Sequence, residues 1–188
     1  MKTLLKILLT VMSIIFPVFL YGQNYYAGKD SLLCNGVNYR IKHYSFTNDI
    51  LIENKANFLR NNLRHKVGST PVVYYSEATG MGHFADSDNE KFQQIVSQVF
   101  SDEEIRLYKT ASGSVYLSYV VDPVGGKVLE VRFDICLSDN DMTMLSIPIE
   151  KFWKLEILLK EQLVCHISEE LKAERQSYTL SGDSLFAE

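Results

Sequence analysis

The longest stretch of alternating positions in the chain lies between Val115 and Ile135. Leu129, Val131, Phe133 and Ile135 alternate with Glu130, Arg132 and Asp134, and ahead of them Val115, Leu117, Tyr119 and Val121 alternate with Tyr116, Ser118 and Val120. A period of two sends one set of side chains to a core and the other to water. Asp122-Pro123-Val124-Gly125-Gly126 between the two runs is turn chemistry, with glycines available for positive φ. The pattern predicts an antiparallel hairpin, with Glu130 on its solvent face.

Helical spacing appears on both sides of it. Ser87-Asp88-Asn89-Glu90 reads as a capping box, and Phe92, Ile95, Val96 and Val99 follow as one apolar face. Ser101-Asp102-Glu103-Glu104 repeats the box and opens a shorter helix through Tyr108. After the hairpin, Pro148 and Glu150 suit the start of a helix whose stripe is Phe152, Leu155, Leu159 and Leu163, with Trp153 beside it. Leu163 to Ile167 then reads as a returning strand, and the tail from Ser168 is polar and weakly patterned. Upstream, VNYRIKHYSF and NDILIEN read as strands, and TPVVYYSE as a third that begins at or near an edge because of Pro71. ATGMGHFAD reads as a loop. The expected fold class is α+β: a small antiparallel or mixed sheet with a central hairpin, packed by two amphipathic helices.

The first residues stand apart. Lys2 and Lys6 precede an apolar run from Ile7 to Leu20, interrupted by Pro17 and followed by Tyr21-Gly22-Gln23. The run is shorter than the ~20 residues of a membrane-spanning helix, and its order is that of a signal peptide. The expectation is a leader over 1–22, cleavage after Gly22, and one exported domain over 23–188 in the periplasm or outside the cell. No stable membrane span is expected after cleavage.

The order helix, hairpin, helix, strand over 87–167 resembles the C-terminal domain of TonB-type envelope proteins, with VYLSYVVDPVGGKVLEVRF as the hairpin. That resemblance implies an envelope adaptor, although the proline-rich linker of the family is missing here. The leader, the size and the IPIEKFWKLEILLKEQL helix also resemble the uncharacterised small secreted proteins common in Bacteroidota. This second resemblance implies a place and a fold, and no activity.

Composition narrows the function classes. The chain has 188 residues, 46% of them hydrophobic and 22% charged, enough for one globular core. Losing the leader removes two of the 19 basic residues and none of the 23 acidic ones, so the mature chain is acidic and has no long-range attraction to nucleic acid. The one basic cluster, Arg60, Arg64, His65 and Lys66, reads as a solvated face. Cys34, Cys136 and Cys165 are an odd number, so at least one stays outside any internal pair; Cys136 and Cys165 are the candidate disulfide. Their spacing gives no zinc motif. No cofactor is expected.

Gly182-Asp183-Ser184-Leu185 spells the signature of the GDSL esterases. In that family the serine sits near the start of the domain and its catalytic His follows. Here only Leu185 to Glu188 follow Ser184, so no base can come after it and the match is read as chance. Cys165 and His166 are neighbours that a strand would point to opposite faces. His83, Asp86 and Asp88 lack the glycine and terminal Glu of a calcium loop, and the two acids suit a helix start. With no catalytic set, the chain is read as an exported, non-catalytic binding or interaction protein; the alternatives are a TonB-like adaptor or an enzyme built from scattered residues. Tyr116 and Val120, on the hairpin face opposite Leu117 and Tyr119, are the candidate partner-facing residues, through an open sheet edge, unless the N-terminal strands or the C-terminal tail cover that edge.

Overall fold

The computed structural model describes residues 24–59, 65–67, 70–72, 86–122, 125–138, 141–166 and 178–186, of which 65–67, 70–72, 86–88 and 178–183 are described by their backbone alone. The expected leader, its cleavage after Gly22, and His83 lie outside the described residues. So do Arg60 and Arg64, and the side chains of His65, Lys66, Asp86 and Asp88.

Six strands form one antiparallel sheet in the order β1-β2-β3-β7-β6-β8. They are β1 (Ser31–Cys34), β2 (Val37–His43), β3 (Ile50–Asn54), β6 (Ser114–Val121), β7 (Val128–Cys136) and β8 (Tyr178–Ser184). A separate hairpin pairs β4 (His65–Val67) with β5 (Thr70–Val72). Among the described residues three α-helices accompany the sheet in this α+β fold: α1 (Asp86–Ser97), α2 (Asp102–Thr110) and α3 (Ile149–Gln162).

The N-terminal strands form a meander. Cys34 pairs with Val37 across Asn35 and Gly36, whose φ angles of 49° and 81° are those of a tight hairpin turn that asparagine and glycine tolerate. β3 then pairs with β7, Ile52 opposite Phe133, and joins the meander to the central hairpin. That hairpin forms as its alternation predicts. Asp122 closes the turn: its N–H donates to Lys127 O (2.8 Å), and its carboxylate and carbonyl accept from Gly125 N–H and Gly126 N–H.

One face of the sheet carries the core. Ile41, Ile52, Phe133 and Leu117 lie in register across four strands and are all buried. Phe152, Leu155 and Leu159 of α3 cover them, and the Phe133 and Phe152 rings lie 4.7 Å apart. Phe92, Ile95, Val96 and Val99 of α1 are buried as their spacing predicts. The second capping box is complete: Ser101 Oγ accepts from Glu104 N–H, and Glu104 accepts from Ser101 N–H (2.8 Å). From α3, Lys151 bonds Glu104 (2.8 Å) and Val99 O (2.6 Å), which ties the α1–α2 corner to the third helix.

Three expectations need correction. Leu163 to His166 is no strand: Val164 makes one isolated bridge to Lys127, and Ile167 lies outside the described residues. The last strand is β8, in the tail that shows little pattern, and it runs antiparallel to β6. The alternation also slips. The register shifts at Val120/Val121, and Leu129 is exposed there. Glu130 keeps the expected phase, on the face opposite Val131, but is 6% exposed, because Phe58 and Leu59 fold onto it.

Candidate functional site

The face opposite α3 is partly covered: Leu51, Glu53, Ser118, Val120 and Glu130 on it are buried, while Tyr116 is half exposed. The side chains of this face follow from the register. One row reads Arg40, Glu53, Arg132 and Ser118, and the next reads Lys42, Leu51, Asp134, Tyr116 and Ser184. Opposite charges face each other across strands in the first row, and the buried Leu51 separates Lys42 from Asp134 in the second.

Glu53 is the ionic centre. Its Oε1 lies 3.0 Å from Arg40 Nη1 and 3.8 Å from Lys42 Nζ. Arg132 bonds Asp134 on its own strand at 2.8 Å. Among these five groups the cations outnumber the anions, and the excess falls on β2. Because Arg40 and Lys42 are substantially solvated, each pair contributes less than about 1 kcal/mol.

Tyr116 stands at 46% exposure between Asp134 of β7 and Ser184 of β8. Val120, expected to be its companion, is 1% exposed and cannot meet a partner without rearrangement. Its burial coincides with a covering layer. Asn57 Nδ2 donates to Val131 O (2.8 Å), and the Phe58 and Leu59 N–H groups both donate to Glu130 Oε1 at 2.7 Å. The chain leaving β3 therefore folds back over β6 and β7 at this end. The edge of β6 is closed as well, because β8 pairs along it.

A second polar cluster lies on the core side. Glu156 of α3 is 2% exposed and accepts hydrogen bonds from Tyr39 Oη (2.5 Å), Asn54 Nδ2 (3.1 Å) and Lys160 Nζ (2.5 Å). Burial first, and then the Glu156 carboxylate, push the Tyr39 phenol above its ordinary value. Every carboxylate oxygen is engaged, so the cluster sets how α3 sits on β2 and β3. Glu156 follows Phe152 by four residues, on the apolar stripe, and an acid at that spacing was the sign of a buried partner.

The cysteines do not pair. Cys165 N–H donates to Gly126 O (2.8 Å) at the turn end of the hairpin, whereas Cys136 closes the far end of nine-residue β7. At ~3.3 Å per residue the two are roughly 25 Å apart, and a bridge needs Cα atoms within about 7 Å. None of the three cysteines is in a disulfide. Burial, then Asp49 and Asp134, raises the Cys136 thiol to about 11.

Ser184 lies in an antiparallel edge strand, not on the sharp strand-to-helix turn of a hydrolase nucleophile. The residues after it enter the core: Leu185 N–H donates to Val115 O (2.7 Å), and Phe186 packs against Phe100 and Tyr108 with ring centroids 5.2 and 4.9 Å away. Cys165 is buried and His166 exposed, so the two do not share a side. Nε2 of His43 lies 3.1 Å from Lys29 O. Among the described residues no three His, Cys, Asp or Glu side chains converge, and no helix is long and apolar enough to cross a membrane.

No family model matches the chain, and no curated protein matches it. Among solved structures, a DUF5043 family protein from Bacteroides uniformis is similar with a TM-score of 0.66 and 19% identity, over 85% of this chain and 86% of that one. At this identity the likeness is one of fold. The sheet and helices described above are thus an architecture shared with a protein of a Bacteroidota species, in keeping with the resemblance to that group.

Proposed function

We propose that the chain is an exported, non-catalytic binding protein of the cell envelope, and that it meets another envelope protein through the exposed part of the charged sheet face around Tyr116. The observation that carries this reading is the position of Tyr116: a half-exposed aromatic ring opposite Asp134 and diagonal to Arg132 on the neighbouring strand. Tyrosine and arginine are the residue types that dominate the energetics of protein interfaces, because each offers a large contact surface with a polar end. Export rests on the order of basic, apolar and small residues in 1–22. A TonB-like adaptor is the narrower form of the same reading, supported by the order of α1, α2, the hairpin and α3.

Pull-down from an envelope extract tests it, with the wild type beside a Tyr116→Lys variant of unchanged melting temperature. Recovery of a protein by the wild type that the variant loses supports the reading. The same proteins from both, or none from either, overturns it.

A further inference from the structure

We propose that the outer edge of β1 pairs with the same edge of a second copy of the chain, joining two six-stranded sheets into one antiparallel sheet across a two-fold axis. The phase of the β1–β2 pairing sets which backbone groups of β1 point outward. Ile41 N–H donates to Asp30 O (2.9 Å), and Leu32 lies opposite Tyr39. Antiparallel pairs alternate between bonded and unbonded positions. Leu32 and Cys34 therefore direct their N–H and C=O groups toward β2, while Ser31 and Leu33 direct theirs away from it. β1 ends the sheet, and no described strand lies on that side.

Besides keeping an edge strand short, as four-residue β1 is, natural sheets protect it with proline, lysine, a bulge or an inward-pointing charge. Ser31-Leu32-Leu33-Cys34 has none of these. Its two ends are instead held in place, by the turn at Gly28 (φ 65°) on one side and by Asn35-Gly36 on the other. The result is a short, pre-ordered template. Leu33 stands on it at 72% exposure, on the charged face of the sheet beside Asn38.

A second copy suits this template by symmetry. When β1 runs antiparallel to itself with Leu32 on the axis, Ser31 of each copy faces Leu33 of the other, and both pairs have outward N–H and C=O groups to exchange. Leu32 then meets Leu32 of the second copy on the core side, and Leu33 gains cover from the second copy on the charged side. Asp30 falls opposite Cys34, so no like charges are opposed, and such a two-fold contact closes on itself without forming fibres. The other outer strand, β8, is a poorer template: its sequence carries Gly182 and Asp183, and its register with β6 is irregular.

Sedimentation velocity of the purified exported protein over a wide concentration range tests the proposal, with amide hydrogen exchange at low and high concentration. The expected result is a concentration-dependent dimer, with the Ser31 and Leu33 amides protected only when it forms. Ser31→Pro removes an outward N–H without touching the pairing to β2, and proline is tolerated at the first residue of an edge strand. Leu33→Lys places a charge on the edge. Each should give a monomer with the melting temperature of the wild type at dilutions where it is monomeric, while Tyr116→Lys should still dimerise. A wild type that stays monomeric at every concentration overturns the proposal. So does a dimer that survives both substitutions, which would place the contact on another face. Neither outcome bears on recovery of a partner through Tyr116.

Discussion

Gly126 and Cys165 touch backbone to backbone: a Cβ added to Gly126 would lie 2.1 Å from Cys165 O. Gly126 also has φ +68°, a conformation that side chains disfavour. Gly126→Ala is therefore strained twice, by its own backbone and by the chain it must push away. The expected destabilisation is ~2–4 kcal/mol, above the ~1–3 of a strained φ alone, measured by chemical denaturation. A loss under about 0.5 kcal/mol would mean that the residues after α3 do not dock on the hairpin turn.

Glu130 and Leu129 should behave in the reverse of their hydropathy. Glu130→Ala leaves two N–H groups, at Phe58 and Leu59, without their charged acceptor, and should cost about 2–4 kcal/mol. Leu129→Ala removes an exposed side chain and should cost less than about 1 kcal/mol. Leu159→Ala, by comparison, empties a fully buried site and should cost about 2–5 kcal/mol. Thermal melts of the three variants check the order.

Phe186→Ala should cost about 3–5 kcal/mol, because the ring is buried against Phe100 and Tyr108. Ser184→Ala should leave stability within about 1 kcal/mol and any ester hydrolysis unchanged. Loss of hydrolysis in Ser184→Ala would return the serine to consideration as a nucleophile.

Acid should act through two carboxylates. Asp141 is lowered from 3.8 to about 2 by hydrogen bonds from Thr143 and then from Ser112. For Glu104, burial favours the neutral acid, but hydrogen bonds from Lys151 and Ser101 outweigh it and hold the group below 4.5. Both are lowered in the folded state. Their stabilisation is therefore present above their unfolded values and is lost as pH falls. The deficits of Asp141→Asn and Glu104→Gln relative to wild type, present at pH 7, should shrink below about pH 4. For Asp141→Asn the deficit should vanish as pH passes through about 2. Urea melts across this range check both.

The parts legible in the sequence were those with a local cause. The capping box at Ser101 and Glu104, the stripe of Phe152, Leu155 and Leu159, and the turn at Asp122 each needed only near neighbours, and each stands as read. The Asn35-Gly36 turn was equally local, and was the available sign of β1. What failed depended on distant residues. Glu130 looks like a solvent residue until Phe58 and Leu59 arrive from 70 positions away. Val120 looks like a partner contact until the chain after β3 covers it. β8 is weakly patterned in sequence, and its place is set by pairing with β6, about sixty positions earlier. Tyr116 was legible as exposed, but the charged rows of its sheet face come from three strands whose register no single run of residues specifies.

The pairing of β3 with β7 has a kinetic consequence. The meander β1–β2–β3 and the hairpin β6–β7 each join neighbours in sequence, so each can form early and alone. Their union, at Ile52 and Phe133, closes a loop of about eighty residues, and the ordering entropy of that loop is lost before the central contacts are gained. The nascent protein should therefore pass through a period in which both halves are built and neither is buried against the other. A chain that reaches its compartment by translocation would meet that compartment in this divided form, with the apolar sides of two small sheets exposed. The surroundings into which it emerges, and any chaperone there, act on the protein before its own interior exists.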